Sequence, residues 1–459
     1  MKQVVVIDVV GLSKSLLNDE SLFITKWIKN KNFSTIKPVL PAVTCAAQST
    51  YLTGKLPDEH GIVANGWYFR EESEVKLWRQ SNHLVKGEKI WDIAKGKNKN
   101  FTCSNMFWWY NMYSNSDYNV TPRPQYWADG QKKPDCYSKP SELRDRLQET
   151  LGTFPLFNFW GPNTNIKSTK WIAAASKLVH TWYEPTLQLV YLPHLDYVLQ
   201  KTDDLIVVSE SMKELDAVLK DLIEYYEAKG ISPMLLSEYG INPVKSPIHV
   251  NRILRDSGFI QLREEQGLEL LDVGSSDAFA MADHQIAHVY LNNKERLDEL
   301  KTLLNNCPEI ELVLDKKDQV AYNLNHERSG ELVLVAKKEH WFTYYFWKDD
   351  TKAPDYARMV DIHKKPGYDP VELFTDPEKK FMIGRIGWKL LRKKMGFRTL
   401  LNVIPLNANL VKGSHGAVNV GEDYYPVLIQ DRDITSEQKV DGLVKPTSIC
   451  NLILNHIFE

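Results

Sequence analysis

An α/β fold with a mainly parallel central sheet flanked by helices, plus a smaller α+β unit, is what three features of the chain predict. Val4-Val5-Val6-Ile7 is a continuous β-branched run, which reads as a strand buried on both faces in the middle of a parallel sheet. Strand and helix signals then alternate to about residue 245, the pattern that builds parallel sheets. From about 246 to 400 the texture becomes that of a second unit.

Asp8 closes the first strand. Open α/β sheets place ligands at that carboxyl edge, where a carboxylate serves either as a metal ligand or as a cap for the next turn. Residues 38–68, PVLPAVTCAAQSTYLTGKLPDEHGIVANGWY, follow. Thr44 stands after a proline-marked loop (Pro38, Pro41) and before the small residues Cys45-Ala46-Ala47-Gln48-Ser49-Thr50, which suit a helix packed closely on a sheet. The free N–H groups and dipole of a helix start favour an anion such as a phosphoryl group. Thr44 is therefore either a nucleophile in such a site or an ordinary N-cap. Cys45 reads as a small buried hydrophobe.

Between 101 and 170 aromatics and turn residues dominate, with Trp108, Trp109 and Trp160 among them. They build either a rigid wall for an organic group or a satellite cluster covering the sheet. Leu189–Leu192 reads as a strand ending in Pro193-His194-Leu195-Asp196. If that strand continues, His194 and Asp196 share a face. Leu205–Glu227 spaces Leu215, Val218, Leu219, Leu222 and Ile223 as an amphipathic helix. It leads into the strand before Ser237-Glu238-Tyr239-Gly240. Asp283-His284 is either a ligand pair or a polar turn. In the second unit, 291–314 reads as strand, helix (295–306) and strand, and 331–347 as one or two long strands.

The ordered motifs resemble the alkaline phosphatase superfamily, and within it the type I phosphodiesterase/nucleotide pyrophosphatase branch. In that branch an Asp ends the first strand, a Thr or Ser nucleophile opens the next helix, and a TG-x-x-P-x-x-HGI-x-x-N segment follows. Here these are Asp8, Thr44 and TGKLPDEHGIVAN, which makes Asn65 the phosphoryl contact. The P-D-x-x-G-H motif is matched at Asp196, with Gln200 where the histidine stands. Glu238 and Tyr239 stand in place of the Asp and His of S-D-H-G-M. Lys412-Gly413-Ser414-His415-Gly416 matches G-x-H-G, making His415 the one histidine position kept. The resemblance implies an alkaline-phosphatase-like core with an inserted cap domain at 246–400.

It also implies a metal-dependent hydrolase of phosphate esters that works through a covalent phosphothreonine at Thr44. Two divalent ions are expected, zinc by resemblance, on Asp8, Thr44, Asp196, Glu238 and His415. Gln200 and Tyr239 make the set richer in oxygen, which suits Mn²⁺ or Mg²⁺. His194, Asp283 and His284 are the residues that could compensate. The exchanged ligands also motivate a second class, a catalytically impaired binding or accessory protein, and a phosphonate hydrolase on the same fold is a further alternative.

Composition narrows the partners. The chain has 459 residues, 43% hydrophobic and 25% charged, with net charge −2, a globular composition with no electrostatic footprint for a nucleic-acid polymer. No apolar run is long enough for a membrane span. Five scattered cysteines fit reduced thiols in a cytoplasm better than a disulfide framework. The expected partner is a small-molecule phosphate ester; the oligomeric state is open.

Overall fold

The computed structural model describes residues 1–128, 131–377 and 402–459, with positions 379, 384, 387–389, 391, 392 and 395 between them. Its central sheet has eight strands: β1 (Val4–Val9), β2 (Asn32–Thr35), β3 (Cys103–Met106), β4 (Tyr118–Pro122), β5 (Cys136–Lys139), β6 (Leu187–Leu192), β7 (Ser232–Leu236) and, from the far end of the chain, Val427–Gln430. In space, β7, β1, β6, β3 and β4 are successive parallel neighbours. The antiparallel strands 427–430 and β5 flank them, and β2 pairs beyond 427–430. All six β1 residues are buried, as the apolar run requires; each buried Val or Ile contributes roughly 1.5–3 kcal/mol by leaving water.

Helix α1 (Thr44–Thr53) is buried at every position. Its small side chains let it sit close to the sheet, and Gly54 ends it in the left-handed conformation at φ 68°, where a Cβ is disfavoured. Helices α2 (Ile166–Tyr183) and α3 (His194–Lys201) follow. α4 (Leu205–Glu227) has the predicted bounds and buries Leu215, Val218, Leu219, Leu222 and Ile223. One expected element differs. After β6 the chain turns at Pro193 into α3 rather than continuing as strand, so His194 and Asp196 lie on different sides of a helix.

A second sheet of four antiparallel strands is built from β8 (Ala278–Asp283), β9 (Ile286–Leu291), β10 (Ile310–Leu314) and β11 (Leu332–Ala336). A helix at Leu297–Asn305 fills the predicted place. The 331–347 stretch holds two short strands, Leu332–Ala336 and His340–Phe342. Buried apolar residues form two clusters, one around each sheet. The second also takes in Cys45, Ile62, Val63, Ala64 and Trp67, so the segment after α1 joins the two sheets. Most of 378–401, the end of the predicted cap, lies outside the described residues. Among the described residues no helix is long and apolar enough to cross a membrane.

Candidate active site

Asp8 pairs in register with Tyr191 of β6 and Leu236 of β7. The segments that leave those strands, carrying Asp196 and Glu238-Tyr239, therefore emerge beside it at the carboxyl edge. Thr44 is the first residue of α1; the N-cap is Val43, which makes no side-chain cap. The Thr44 hydroxyl lies 2.9 Å from the Tyr239 hydroxyl, which in turn donates to Asp196 Oδ1 at 3.3 Å. The Thr44 hydroxyl thus stands between the Tyr239 hydroxyl and the Glu238 carboxyl, within hydrogen-bond reach of both.

Two carboxylates meet on the other side of Thr44. Gln48, one helical turn on from Thr44, donates from Nε2 to Asp8 Oδ2 at 3.2 Å and to Glu238 Oε1 at 2.5 Å. Its Oε1 is fixed by the Trp109 N–H at 2.5 Å, which sets which way the amide faces. Asp8 Oδ1 and Glu238 Oε2 have no hydrogen-bond partner. Burial, and then the charge of Glu238, hold the Asp8 carboxyl well above the usual range, and burial raises Glu238 too. Two buried carboxyls this close are neutral in part unless a cation joins them, which makes the pair a candidate for one.

Asp196 is arranged differently. Gln200 donates to its Oδ2 at 2.9 Å, and Tyr368 donates to Gln200 Oε1 at 3.0 Å. Burial, then Glu238, push the Asp196 carboxyl up to about 7. His415 gives its Nδ1 hydrogen to Ala42 O at 2.7 Å, so Nε2 presents a lone pair, 3.7 Å from Asp196 Oδ1. Its ring is stacked between Tyr239, at 3.6 Å and 8°, and His284, at 3.7 Å. Burial takes the His415 imidazole down to about 3.

Asn65 and Cys45 complete the first turn of the site. The Cys45 N–H donates to Asn65 Oδ1 at 3.1 Å, while Asn65 donates from its backbone and side chain to Asp283 at 2.8 and 3.1 Å. Asp283 is thus the holder of Asn65, its carboxyl raised to about 7 by burial. His284 sits in the β8–β9 turn at φ 60°, stacked on Tyr368 at 3.8 Å. The turn expected of this pair is present, and Asp283 spends its carboxyl on Asn65.

Of the expected residues, Asp8, Thr44, Asn65, Asp196, Gln200, Glu238, Tyr239, Asp283, His284 and His415 form one connected cluster. His194 stands apart from it: α3 turns its Nε2 toward Glu214, 3.5 Å away, and the shared face expected with Asp196 is lost with the strand. Trp109 touches Gln48, and Trp160 packs on Tyr368 with ring centroids 5.7 Å apart. Trp108 instead donates to Val190 O inside the central core. Two residues escaped the sequence reading. Gln48 lay four positions from Thr44, a spacing that shares a helix face; Tyr368 comes from a segment without a motif.

The donor sets bear on the metals that the family generally uses. Asp8, Glu238 and Thr44 offer oxygen donors, two with unpartnered atoms, and fit a hard divalent ion completed by water or substrate. On the other side Asp196 already accepts from Gln200 and Tyr239, and His415 and His284 add one unpartnered ring nitrogen each, on rings packed against each other, where catalytic zinc takes three converging protein ligands. Among the described residues, no group of three or more His, Cys, Asp and Glu is gathered as a metal cage.

The site is buried, with Thr44 only 3% and Asn65 1% exposed.

Solved structures share the fold. Murine ectonucleotide pyrophosphatase/phosphodiesterase 5, an inactive variant in complex with AMP, is 13% identical with a TM-score of 0.58, covering 100% of this chain and 95% of that one. Phosphonoacetate hydrolase from Sinorhizobium meliloti 1021, in complex with phosphonoacetate, is 12% identical with a TM-score of 0.62, covering 99% and 96%. No curated protein matches the sequence. The family model for type I phosphodiesterase/nucleotide pyrophosphatase matches residues 4–369, and with the site at the carboxyl edge of the sheet the chain belongs to that family of hydrolases.

Proposed function

We propose that the chain hydrolyses a small organic phosphate ester through a covalent phosphothreonine at Thr44. The observation that carries this reading is the Thr44 hydroxyl: it opens a buried helix, leaves the capping of that helix undone, and bonds Tyr239 beside Asp8, Glu238 and Asp196. In the reaction Thr44 Oγ1 bonds to phosphorus as the bond to the leaving oxygen breaks, its electron pair departing with that group. The hydroxyl proton leaves along the hydrogen bond to Tyr239, towards Asp196, whose carboxyl near 7 is basic enough to receive it. Water then cleaves the phosphothreonine.

Asp8, Glu238 and Thr44 would hold a hard divalent ion, which when bound supplies positive charge beside the nucleophile oxygen. The Cys45 N–H and Asn65 Nδ2 would exchange their internal partners for phosphoryl oxygens, stabilising the charge that develops on them. Solved relatives of the fold hold AMP and phosphonoacetate, which supports substrates carrying one accessible phosphoryl or phosphonyl group. The test is release of p-nitrophenol from its phosphate monoester and bis-ester, and of phosphate from phosphonoacetate, with Mn²⁺, Mg²⁺ or Zn²⁺ supplied. Turnover of none of these sinks the reading.

The same residues support one other reading, a binding protein that has lost turnover, because Gln48 bridges the carboxylates and Tyr368 covers the histidines. AMP or phosphonoacetate bound tightly without product would favour it.

A further inference from the structure

We infer that Tyr239 takes the place of one of the two metal ions, so that the chain operates with a single hard cation on Asp8, Glu238 and Thr44. The inference rests on the hydrolase reading above and concerns what stands on the far side of the nucleophile. The Tyr239 hydroxyl lies between Thr44 Oγ1, at 2.9 Å, and Asp196 Oδ1, at 3.3 Å. While the hydroxyl stands there, those two oxygens could not share an ion. The ring cannot swing aside freely, because it is buried and stacked flat on His415.

Neighbouring donors are committed in the same sense. Asp196 Oδ2 takes the Gln200 amide, and Gln200 Oε1 takes the Tyr368 hydroxyl. Asp196 Oδ1 takes the Tyr239 hydroxyl, so among the described residues the free donors beside it are His415 Nε2 and His284 Nδ1, on two rings packed against each other, short of the three that zinc requires. A neutral phenol there holds the Thr44 hydroxyl in one rotamer without adding charge. The contrast with the opposite side is sharp: Asp8 Oδ1 and Glu238 Oε2 are buried, anionic in type and without partners. Tyr239 is thus a positioning residue for Thr44.

The deciding measurement is the stoichiometry of the whole protein after equilibrium dialysis against Mn²⁺, Mg²⁺ or Zn²⁺, read by elemental analysis, with Mn²⁺ followed by electron paramagnetic resonance. One tightly held ion per chain is expected, lost in Glu238→Gln. Tyr239→Phe should keep that ion and leave KM nearly unchanged while kcat falls at least about tenfold, the loss of one hydrogen bond to the nucleophile. The double variant Tyr239→His, Gln200→His should gain a second ion, preferring zinc. Two ions on the wild type, or none, overturn the inference, as does an unchanged kcat in Tyr239→Phe; the wild-type count decides even if the double variant does not fold. Two ions with brisk turnover would leave the hydrolase reading standing, whereas one ion with no turnover would remove that reading and keep the single-cation site.

Discussion

Deleting the Thr44 hydroxyl tests the nucleophile with little disturbance to the fold. Thr44→Ala removes one hydrogen bond, and Tyr239 keeps its bond to Asp196, so stability should fall by only about 1 kcal/mol. Hydrolysis should fall by orders of magnitude, and a variant retaining more than about a tenth of the wild-type rate would show that Thr44 is no nucleophile. Gln48 offers a second test. Gln48→Leu leaves Asp8 and Glu238 facing one another without a donor, so the variant should be less stable than wild type. Mn²⁺ should also raise its melting temperature by more than it raises that of the wild type, and equal shifts would mean the ion binds elsewhere. At this scale the sequence was legible where a residue stood in a motif. Asp8, Thr44, Asn65, Asp196, Glu238 and His415 could be placed by strand ends and ordered spacing. Gln48 and Tyr368 could not, since what makes each matter is a partner distant in the chain, such as Glu238 for Gln48 and Gln200 for Tyr368.

Segment 361–374 brings Tyr368 to Gln200 and His284, and a buried ion network holds it. Lys365, 1% exposed, lies 2.7 Å from both Asp369 and Glu372, while Glu372 also accepts from the Trp160 indole at 2.6 Å. Burial and the Lys365 charge act in opposite directions on Glu372, and burial dominates. Lys365→Met would strand two carboxyls in the interior, a change that costs about 3–5 kcal/mol in comparable networks. A urea midpoint within error of wild type would show that the network does not hold this segment. Gly413 constrains the opposite wall. A Cβ there would meet Leu199 O at 2.1 Å and Ile241 at 2.8 Å, so Gly413→Ala must push the strand before His415 away from α3. Its expected result is lost stability together with a weakened response to added metal. Elements with a clear period, such as α4 and the helix at Leu297–Asn305, were readable from the sequence. The end of β6 was not, because Pro193 can close a strand or open a helix, and α3 is chosen by packing against α4 rather than by local pattern.

For the molecule as a whole, the division into a parallel sheet and a second α+β unit could be read from alternation and texture, but the way the two share a site could not. Asp283 at the end of a second-sheet strand holds Asn65, and His284 in the turn after it packs on His415, which follows the two-residue strand 413–414 paired with 242–243, a long-range meeting that no local periodicity encodes. The same burial fixes the response to pH. His60, His288 and His415 are taken down to about 3, and His194, His249, His326 and His456 to about 4, in each case chiefly by burial. A group whose folded pKa is depressed gives stability that is present above its unfolded pKa, about 6.5 for histidine, and is lost as pH falls towards the folded value. Asp196 and Asp283, raised to about 7, act with the opposite sign: their contribution is present at low pH and is lost as pH rises through 7. Between pH 6.5 and 5 the unfolded chain gains protons on seven such histidines, while the folded chain holds extra protons on those two aspartates and on the raised Asp8–Glu238 pair. The histidines outnumber the carboxyls, so the metal-free protein should lose stability on acidification across this window. Denaturant midpoints measured at pH 7, 6 and 5 should fall in that order. A midpoint that instead rose towards pH 5 would mean that the buried carboxyls dominate, and in that case saturating Mn²⁺ at pH 7, by neutralising Asp8 and Glu238, should recover most of the difference.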